Sequence, residues 1–185
     1  MITGVILIVV ALGFGYYLLS KVQNSNTSSP KGSSQIVTPA VQPAIVDCGG
    51  DNTDGTKDHS GLICFASYAK TCNPARVHVT STDQELSSKE LNIKTGVSYE
   101  IVGAKNLRCE VLRETQAATF SIIGSPSAEL RQELNSQGVK IIGDLLGKKE
   151  TCYFTNYNNL VSVFTNWAAG NTTIGFEKAE CARAN

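Results

Sequence analysis

The sequence predicts an α+β domain: an antiparallel sheet with about three helices, stabilised by disulfides and preceded by an N-terminal transmembrane helix. Three observations support this fold class. The run Ile2–Leu19 carries no charged side chain, all six cysteines lie beyond residue 47, and the rest of the chain alternates between strand and helix periodicity. We therefore divide the chain into an anchor at residues 1–20, a flexible Ser/Thr/Pro linker at 21–46 and an extracytoplasmic domain at 47–185.

The apolar run Ile2–Leu19 matches the thickness of a bilayer. Its 18 residues would form a helix of about 27 Å, close to the roughly 30 Å of hydrocarbon in a membrane. Tyr16 and Tyr17 stand near its end, where aromatic rings favour the membrane interface. Two alternatives stay open. One is a cleaved signal peptide, although no basic residue precedes the run and no small-x-small cleavage site comes after it. The other is a buried core helix.

The segment at 21–46 has the composition of a linker. It holds Pro30, Pro39 and Pro43, which are three of the five prolines, and it contains no acidic residue. Because so polar a segment buries too little apolar surface to offset its ordering entropy, we expect it to hold a domain away from a surface. Lys21 alone, on the positive-inside rule, would favour a cytoplasmic position for the domain. The cysteines favour the opposite orientation.

All six cysteines fall in the predicted domain, at Cys48, Cys64, Cys72, Cys109, Cys152 and Cys181. An even number spread over a whole domain predicts three structural disulfides and an oxidising compartment. A metal or redox role and free thiols remain alternatives, but no C-x-x-C motif favours them. The pairing stays open, with one limit: Cys64 and Cys72 stand about 12 Å apart on a predicted helix, which is too far for a disulfide.

The domain begins with an acidic, glycine-rich stretch, Asp47–Asp58, which we interpret as a surface turn. Calcium binding is the alternative, but an EF-hand register would place Gly50 at the first ligand position, where Asp is needed. Apolar residues at helical spacing then predict a helix over Leu62–Thr71, ended by Asn73-Pro74. Alternation of apolar and polar residues predicts a strand over Arg76–Ser81.

A β-hairpin is predicted next. Its strands are Val97–Val102 and Leu107–Leu112, joined around Gly103–Asn106, and the alternation places Cys109 on the core face. A third neighbouring strand is predicted over Ala117–Ile123.

The region after the hairpin predicts one helix and two short strands. Ser125-Pro126 has the form of a helix N-terminus, and Gly138 is placed to end that helix. Val139–Ile142 and Glu150–Phe154 are the two short strands.

The C-terminal region predicts an amphipathic helix and a last strand. Thr155 or Asn156 is expected to cap the helix, and Gly170 to end it. Trp167 lies near its apolar stripe, and we interpret it as a core residue. The last strand is predicted over Thr172–Lys178. The apolar stripe consists of residues at i, i+3, i+4, i+7 and i+11: Tyr157, Leu160, Val161, Phe164 and Ala168.

The sequence identifies no catalytic, cofactor-binding or metal-ligating residue. Lys+Arg and Asp+Glu both number 16, with no basic run, which argues against a nucleic-acid partner. The two histidines, His59 and His78, are interpreted as surface residues. Gly147-Lys148-Lys149 lacks the rest of a phosphate-binding loop and is interpreted as a turn. We therefore predict no cofactor and consider an enzyme the less favoured class.

The cysteine-containing segments also carry a resemblance. Asp47-Cys48-Gly49, Cys64-Phe65, Ala69 and Cys72-Asn73-Pro74-Ala75 form a pattern that resembles uncharacterised membrane-anchored proteins of prokaryotes. The pattern covers Asp47 to Ala75, and the resemblance implies no activity.

Three functions are compatible with this organisation. The leading hypothesis is a single-pass, membrane-anchored protein with a binding or structural role at the cell surface or in the periplasm, whose partner is an unidentified protein or surface polymer. The second is a pilin-like filament subunit, although residue 5 is Val rather than Glu and the linker interrupts a continuous helix. The third is a thiol oxidoreductase, which would need an accessible cysteine of low pKa.

Overall fold

A computed structural model describes residues 44–55 and 58–183. The predicted anchor and nearly all of the predicted linker lie outside the described residues. Within them, six strands form one sheet in the order β1-β2-β3-β4-β5-β6, accompanied by three helices. No helix among them has both the length and the apolar character needed to cross a bilayer. The α+β class is confirmed, but the sheet is mixed rather than antiparallel, because β1 runs parallel to β2.

The domain opens with a β-α-β unit. Strand β1 (Val46–Asn52) leads into helix α1 (Ser60–Ala69), and strand β2 (Ala75–Thr82) returns parallel to β1. The stretch interpreted as a surface turn thus contains an edge strand, which its acidic and glycine-rich composition concealed. Helix α1 buries Leu62, Phe65 and Ala69, which have the predicted spacing.

The longest strands are β3 (Leu91–Lys105) and β4 (Arg108–Ile122), which have 15 residues each and pair as an antiparallel hairpin. Its turn is Asn106-Leu107, where both residues have positive φ (53° and 63°). The turn therefore lies later than predicted: Leu107 belongs to it rather than to the second strand, and its side chain is 91% exposed. The stretch predicted as a third strand is the far half of β4, which continues past a bulge at Gln116.

Helix α2 (Ala128–Leu145) is the largest departure from the predicted elements. Ser127, rather than Ser125, caps it by accepting a hydrogen bond from the Leu130 amide. Gly138 does not end the helix. It lies in the helix interior, where an added Cβ would come within 2.6 Å of the Phe120 ring. The glycine permits the helix to pack closely on the sheet, and the helix continues to Leu145. The strand predicted over Val139–Ile142 is therefore wrong, because these residues belong to the same helix.

The remaining elements are β5 (Lys149–Phe154), α3 (Tyr157–Ala168) and β6 (Glu180–Arg183). Of the two candidate caps of helix α3, Asn156 is the one used, and its side chain accepts a hydrogen bond from the Asn158 amide. Gly170 lies just beyond the end of the helix with a φ of 81°. The strand predicted over Thr172–Lys178 is not formed. That segment is irregular, and the last strand is the shorter β6.

All three helices cover one face of the sheet. Leu91, Ile93, Val97, Tyr99 and Ile101 alternate along β3, so they share a face. The last three lie in a large cluster with α1 and α3, which we call the main core. Leu91 and Ile93 lie in a separate cluster with Leu134 of α2. We call this second unit, formed by the far ends of β3 and β4 under α2, the arm.

Three disulfides are present, and each has at least one cysteine in the main core or packed against it. Cys48–Cys64 joins β1 to α1, Cys72–Cys109 joins the α1–β2 connection to β4, and Cys152–Cys181 joins β5 to β6. The predicted use of the cysteines is confirmed, as is the prediction that Cys64 and Cys72 pair elsewhere. These cross-links indicate an oxidising environment of the extracellular type.

Candidate functional site

A cleft of about 490 Å³ opens on the helix-covered face of the sheet. Its floor is the middle of β3, and it lies between the β2–β3 connection and the segment after α3. Its volume falls in the usual range for small-ligand sites. The lining comprises aromatic, hydroxyl and carboxylate side chains together with one guanidinium group.

One wall of the cleft is aromatic. Trp167, at the end of α3, lies 5.5 Å from Tyr99 between ring centroids, and Phe176 stacks on Tyr99 at 5.6 Å. The Trp167 Nε1–H donates a hydrogen bond of 2.6 Å to the carbonyl oxygen of Ile174. This bond ties the segment after α3 to the helix, so Trp167 and Phe176 are held in fixed positions.

Tyr99 and Arg113 meet at the base of the cleft, as cross-strand partners on β3 and β4. Tyr99 is only 4% exposed. Burial raises the pKa of its phenol, and the neighbouring Arg113 guanidinium partly opposes that rise. Arg113 Nη1 lies 3.4 Å from one carboxylate oxygen of Glu150. The other carboxylate oxygen of Glu150 accepts a hydrogen bond of 3.3 Å from Arg183 Nε. The positive charge of Arg113 is thus already paired with the carboxylate of Glu150.

Hydroxyl groups line much of the remaining surface. Thr53 differs from the others, because its buried Oγ1 has no hydrogen-bond partner within the described residues. Buried polar atoms are normally paired, so such an atom is available to a ligand or water. The hydroxyl residues of the lining are Thr53, Ser81, Thr82, Thr95, Thr172 and Thr173.

The rim of the cleft is acidic. Asp83, Glu85 and Glu177 line it. Asp83 fixes the β2–β3 connection, because its carboxylate accepts hydrogen bonds from the amides of Glu85 and Leu86. Glu177 accepts from the Gly175 amide in the same way on the opposite wall. Each of these two segments thus contains a carboxylate that accepts hydrogen bonds from backbone amides of the same segment.

Both histidines have structural neighbours outside the cleft. His59 Nδ1 lies 2.8 Å from Asp51, whose other carboxylate oxygen accepts from the Leu62 amide at the start of α1. His59 is therefore half-buried rather than a surface residue. His78 lies on the uncovered face of the sheet, where an added Cβ at Gly96 would come within 3.0 Å of its ring.

The cysteines form no metal or thiol site in the described part of the chain. All six are paired in disulfides, and residues 44–55 and 58–183 contain no group of three or more metal-binding side chains. An oxidoreductase built on this domain would have to act through one of the disulfides.

Sequence reasoning did not identify the cleft, although it named some of its residues. The sequence predicts Trp167 as a core residue, and Trp167 does pack on Tyr99 and Phe164, but it also lines the cleft. Phe176 falls in the predicted strand Thr172–Lys178, which does not form. Arg113 gave no signal, because its position opposite Tyr99 depends on the hairpin register. The concentration of Thr, Gly and aromatic residues at 167–177 was the available signal for a binding loop.

Comparison with known proteins gave no relative: no protein-family model matches the chain, and neither does a curated protein or a solved structure.

Proposed function

We propose that this protein is a single-pass, membrane-anchored extracytoplasmic binding protein that holds a sugar unit of a surface polymer in the cleft. Three features support the anchored arrangement: the uncharged run Ile2–Leu19, the proline-containing linker, and six cysteines confined to the domain. The observation that carries the binding role is the cleft itself, with its aromatic wall and ordered acidic rim.

The lining chemistry favours a carbohydrate over other ligand classes. Sugars present apolar C–H surfaces, which suit Trp167 and Phe176, and hydroxyl groups, which suit threonine hydroxyls and carboxylates. Hydrogen bonds to a carboxylate are stronger than those between neutral groups. An anionic ligand is disfavoured, because three carboxylates line the rim and Arg113 is already paired with Glu150. We therefore expect a neutral sugar or an amino sugar.

Trp167 provides a direct assay, because it is the single tryptophan of the chain and lines the cleft. The full-length protein is prepared in a polyoxyethylene detergent, which avoids sugar headgroups, and titrated with neutral oligosaccharides such as chitotetraose and cellotetraose. We expect a saturable change in tryptophan fluorescence with at least one of them and none with tetragalacturonate. No response to any sugar would contradict the ligand class, and a response to peptides alone would reassign the cleft to a peptide.

A matched pair of variants tests whether the carboxylates take part. Glu85 lines the cleft, whereas Glu90, in the same β2–β3 connection, does not. We expect Glu85→Gln to weaken sugar binding by about 10- to 150-fold, because a charged hydrogen-bond acceptor contributes roughly 1.5–3 kcal/mol. Glu90→Gln should bind as the unchanged protein does. Equal behaviour of the two variants would place the ligand elsewhere.

The anchored arrangement has a separate test. Cells expressing the full chain, converted to spheroplasts where the host has an outer membrane, are treated with a protease that does not cross the cytoplasmic membrane, and the cell-associated protein is weighed by mass spectrometry. We expect the domain to be digested from outside, and the untreated protein to retain residues 1–20. A protected domain would contradict the orientation, and a protein lacking residues 1–20 would indicate a secreted form.

A further inference from the structure

The disulfide between β5 and β6 differs from the other two in its accessibility. Cys181 is exposed on β6, whereas its partner Cys152 is fully buried on β5. The bridge between the α1–β2 connection and β4 joins two buried cysteines, and the bridge between β1 and α1 joins two half-buried ones. Since a thiolate must reach one of the sulfurs, exposed disulfides are the ones that thiols reduce most readily. We therefore expect Cys152–Cys181 to be reduced first.

Strand β6 depends on this bridge. It lies at the edge of the sheet and pairs with β5 alone, and all four of its residues are exposed, so it buries no side chain in the domain. The other ties of its side chains are the ion pairs Arg108–Glu180 and Arg183–Glu150. Ion pairs at a surface contribute little to stability. The covalent bond is thus the strongest constraint on β6.

The segment that β6 holds forms one wall of the cleft. We call residues 169–179, between α3 and β6, the wall segment. Phe176 and Glu177 of this segment line the cleft, and Cys181 follows them closely in sequence. The wall segment is tied near its beginning by the hydrogen bond from Trp167 to the Ile174 carbonyl. Its other end is tied by the disulfide on β6, which closes a loop with a sequence separation of 29 residues.

A second connection runs from β6 to the base of the cleft. Arg183 of β6 and Arg113 both contact the carboxylate of Glu150, and Arg113 lies opposite Tyr99 at the base of the cleft. Release of β6 would remove Arg183 from this carboxylate. The position of β6 therefore affects the cleft both along the chain and through Glu150.

We propose that Cys152–Cys181 is a redox switch for the cleft. The oxidised bridge holds β6 and the wall segment in place, and reduction by a dithiol releases β6, loosens the wall and weakens ligand binding. The effect on sugar affinity rests on the proposed function, whereas the release of β6 does not. The other two disulfides are less accessible, so they maintain the main core while the switch operates.

The reaction is a thiol–disulfide exchange with a dithiol as reductant. A thiolate of the dithiol attacks the exposed Cys181 Sγ, the bond to Cys152 Sγ breaks, and Cys152 leaves as a thiolate that takes up a proton. The second thiol of the reductant then attacks its own sulfur in the mixed disulfide and frees Cys181, which is protonated in turn. The dithiol is oxidised to a disulfide, and the two cysteines gain two electrons and two protons.

Graded reduction of the full-length protein in a polyoxyethylene detergent tests the switch. After incubation with increasing dithiothreitol, the protein is unfolded in the presence of N-ethylmaleimide, so that buried thiols are labelled too, and the labelled peptides are weighed. We expect Cys152 and Cys181 to be labelled at concentrations that leave the other four cysteines paired. Reduction of another bridge first, or of all three together, would overturn the proposal.

The selectively reduced protein is then compared with the oxidised protein. Hydrogen exchange should accelerate at Gly175 and Ala179, whose amides donate hydrogen bonds within the wall segment, and not at Val77 of β2. The dissociation constant of a sugar that binds the oxidised protein should rise about tenfold, as it would if about a tenth of the molecules kept the wall in place. Unchanged exchange would overturn the switch, and so would faster exchange with unchanged affinity. If the oxidised protein binds no sugar, the proposed function fails and hydrogen exchange alone decides the switch.

A pair of variants provides the control. Cys152→Ala/Cys181→Ala lacks the switch, so it should bind sugar as weakly as the reduced protein does and show no further response to low dithiothreitol. Cys48→Ala/Cys64→Ala removes a different bridge and should keep that response. Tight binding by Cys152→Ala/Cys181→Ala would overturn the proposal. Should either variant fail to fold, the comparison of the reduced and oxidised forms of the unchanged protein still decides.

Discussion

The main core and the arm are built on the same two long strands, yet they are stabilised in different ways. The main core contains Phe65, Phe154 and Phe164 in its interior, and all three disulfides lie in it or pack against it. The buried part of the arm consists of Leu91, Ile93 and Leu134, with no disulfide among its described residues.

This difference assigns different roles to the two halves. A disulfide stabilises the folded state chiefly by restricting the unfolded chain, so the cross-linked half resists local opening. That half carries the aromatic wall of the cleft. The arm has no disulfide among its described residues and is held by its small apolar cluster and by the hydrogen bonds between β3 and β4. We therefore expect a rigid binding half and an arm that opens at lower free energy.

The largest expected effect comes from the main core. Phe164 is fully buried and contacts Phe65, Tyr99 and Trp167. Phe164→Ala should lower the free energy of unfolding by about 3–5 kcal/mol, since it removes a large apolar side chain and leaves a cavity. The control is Leu107→Ala at the 91% exposed hairpin turn, which should change stability by less than about 0.5 kcal/mol. Denaturant unfolding measures both, and equal costs would refute the assignment of the core.

Removal of one cross-link should have the next largest effect. The double variant Cys72→Ala/Cys109→Ala should lose about 2–5 kcal/mol of stability. Because Cys72–Cys109 lies in the main core, hydrogen exchange at Leu91 and Ile93 should be unchanged while exchange at Val77 and Ile101 accelerates. Equal acceleration in both regions would show that the arm and the main core open together.

The arm has its own matched pair of glycines in α2. Gly138→Ala would force a Cβ to within 2.6 Å of the Phe120 ring, so we expect a loss of about 1–3 kcal/mol from overpacking. Gly143→Ala meets nothing within 4 Å and should gain roughly 0.5–1 kcal/mol from helix propensity. Urea unfolding compares the two variants. A neutral Gly138→Ala would mean that α2 does not pack closely on β4.

Features set by local spacing could be predicted from the sequence, whereas features set by distant partners could not. The helix around Phe164 was predicted because its apolar spacing agrees with its caps, and Cys109 was placed in the core by simple alternation. Gly138 was misread as a helix end because its role depends on Phe120, a partner 18 residues away in sequence. The cleft depends on the register that sets Tyr99 opposite Arg113, which no local pattern encodes.

The smallest expected effect concerns the carboxyl group of Asp54, two residues after the end of β1. Burial alone would raise the pKa of Asp54, but hydrogen bonds from the Thr82 hydroxyl and amide, together with Lys94, outweigh it and hold the pKa below its ordinary value of 3.8. A carboxyl with a lowered folded-state pKa stabilises the protein above its unfolded pKa, and this contribution is lost as the pH falls through the folded value. Asp54→Asn should therefore be less stable than the unchanged protein near neutral pH. Thermal melts should show that difference shrinking as the pH falls below 3.8, and a difference independent of pH would contradict the assignment.

Native-state hydrogen exchange of the full-length chain tests the central claim most directly, namely that the disulfide-linked half and the arm are separate units of stability. In low denaturant, we expect amides of α2 and of β4 beyond Gln116 to exchange through local openings of lower free energy. Amides of β2 and of the middle of β3 should exchange only on global unfolding. A single free energy of opening for both regions would contradict the claim and make the arm part of one cooperative core.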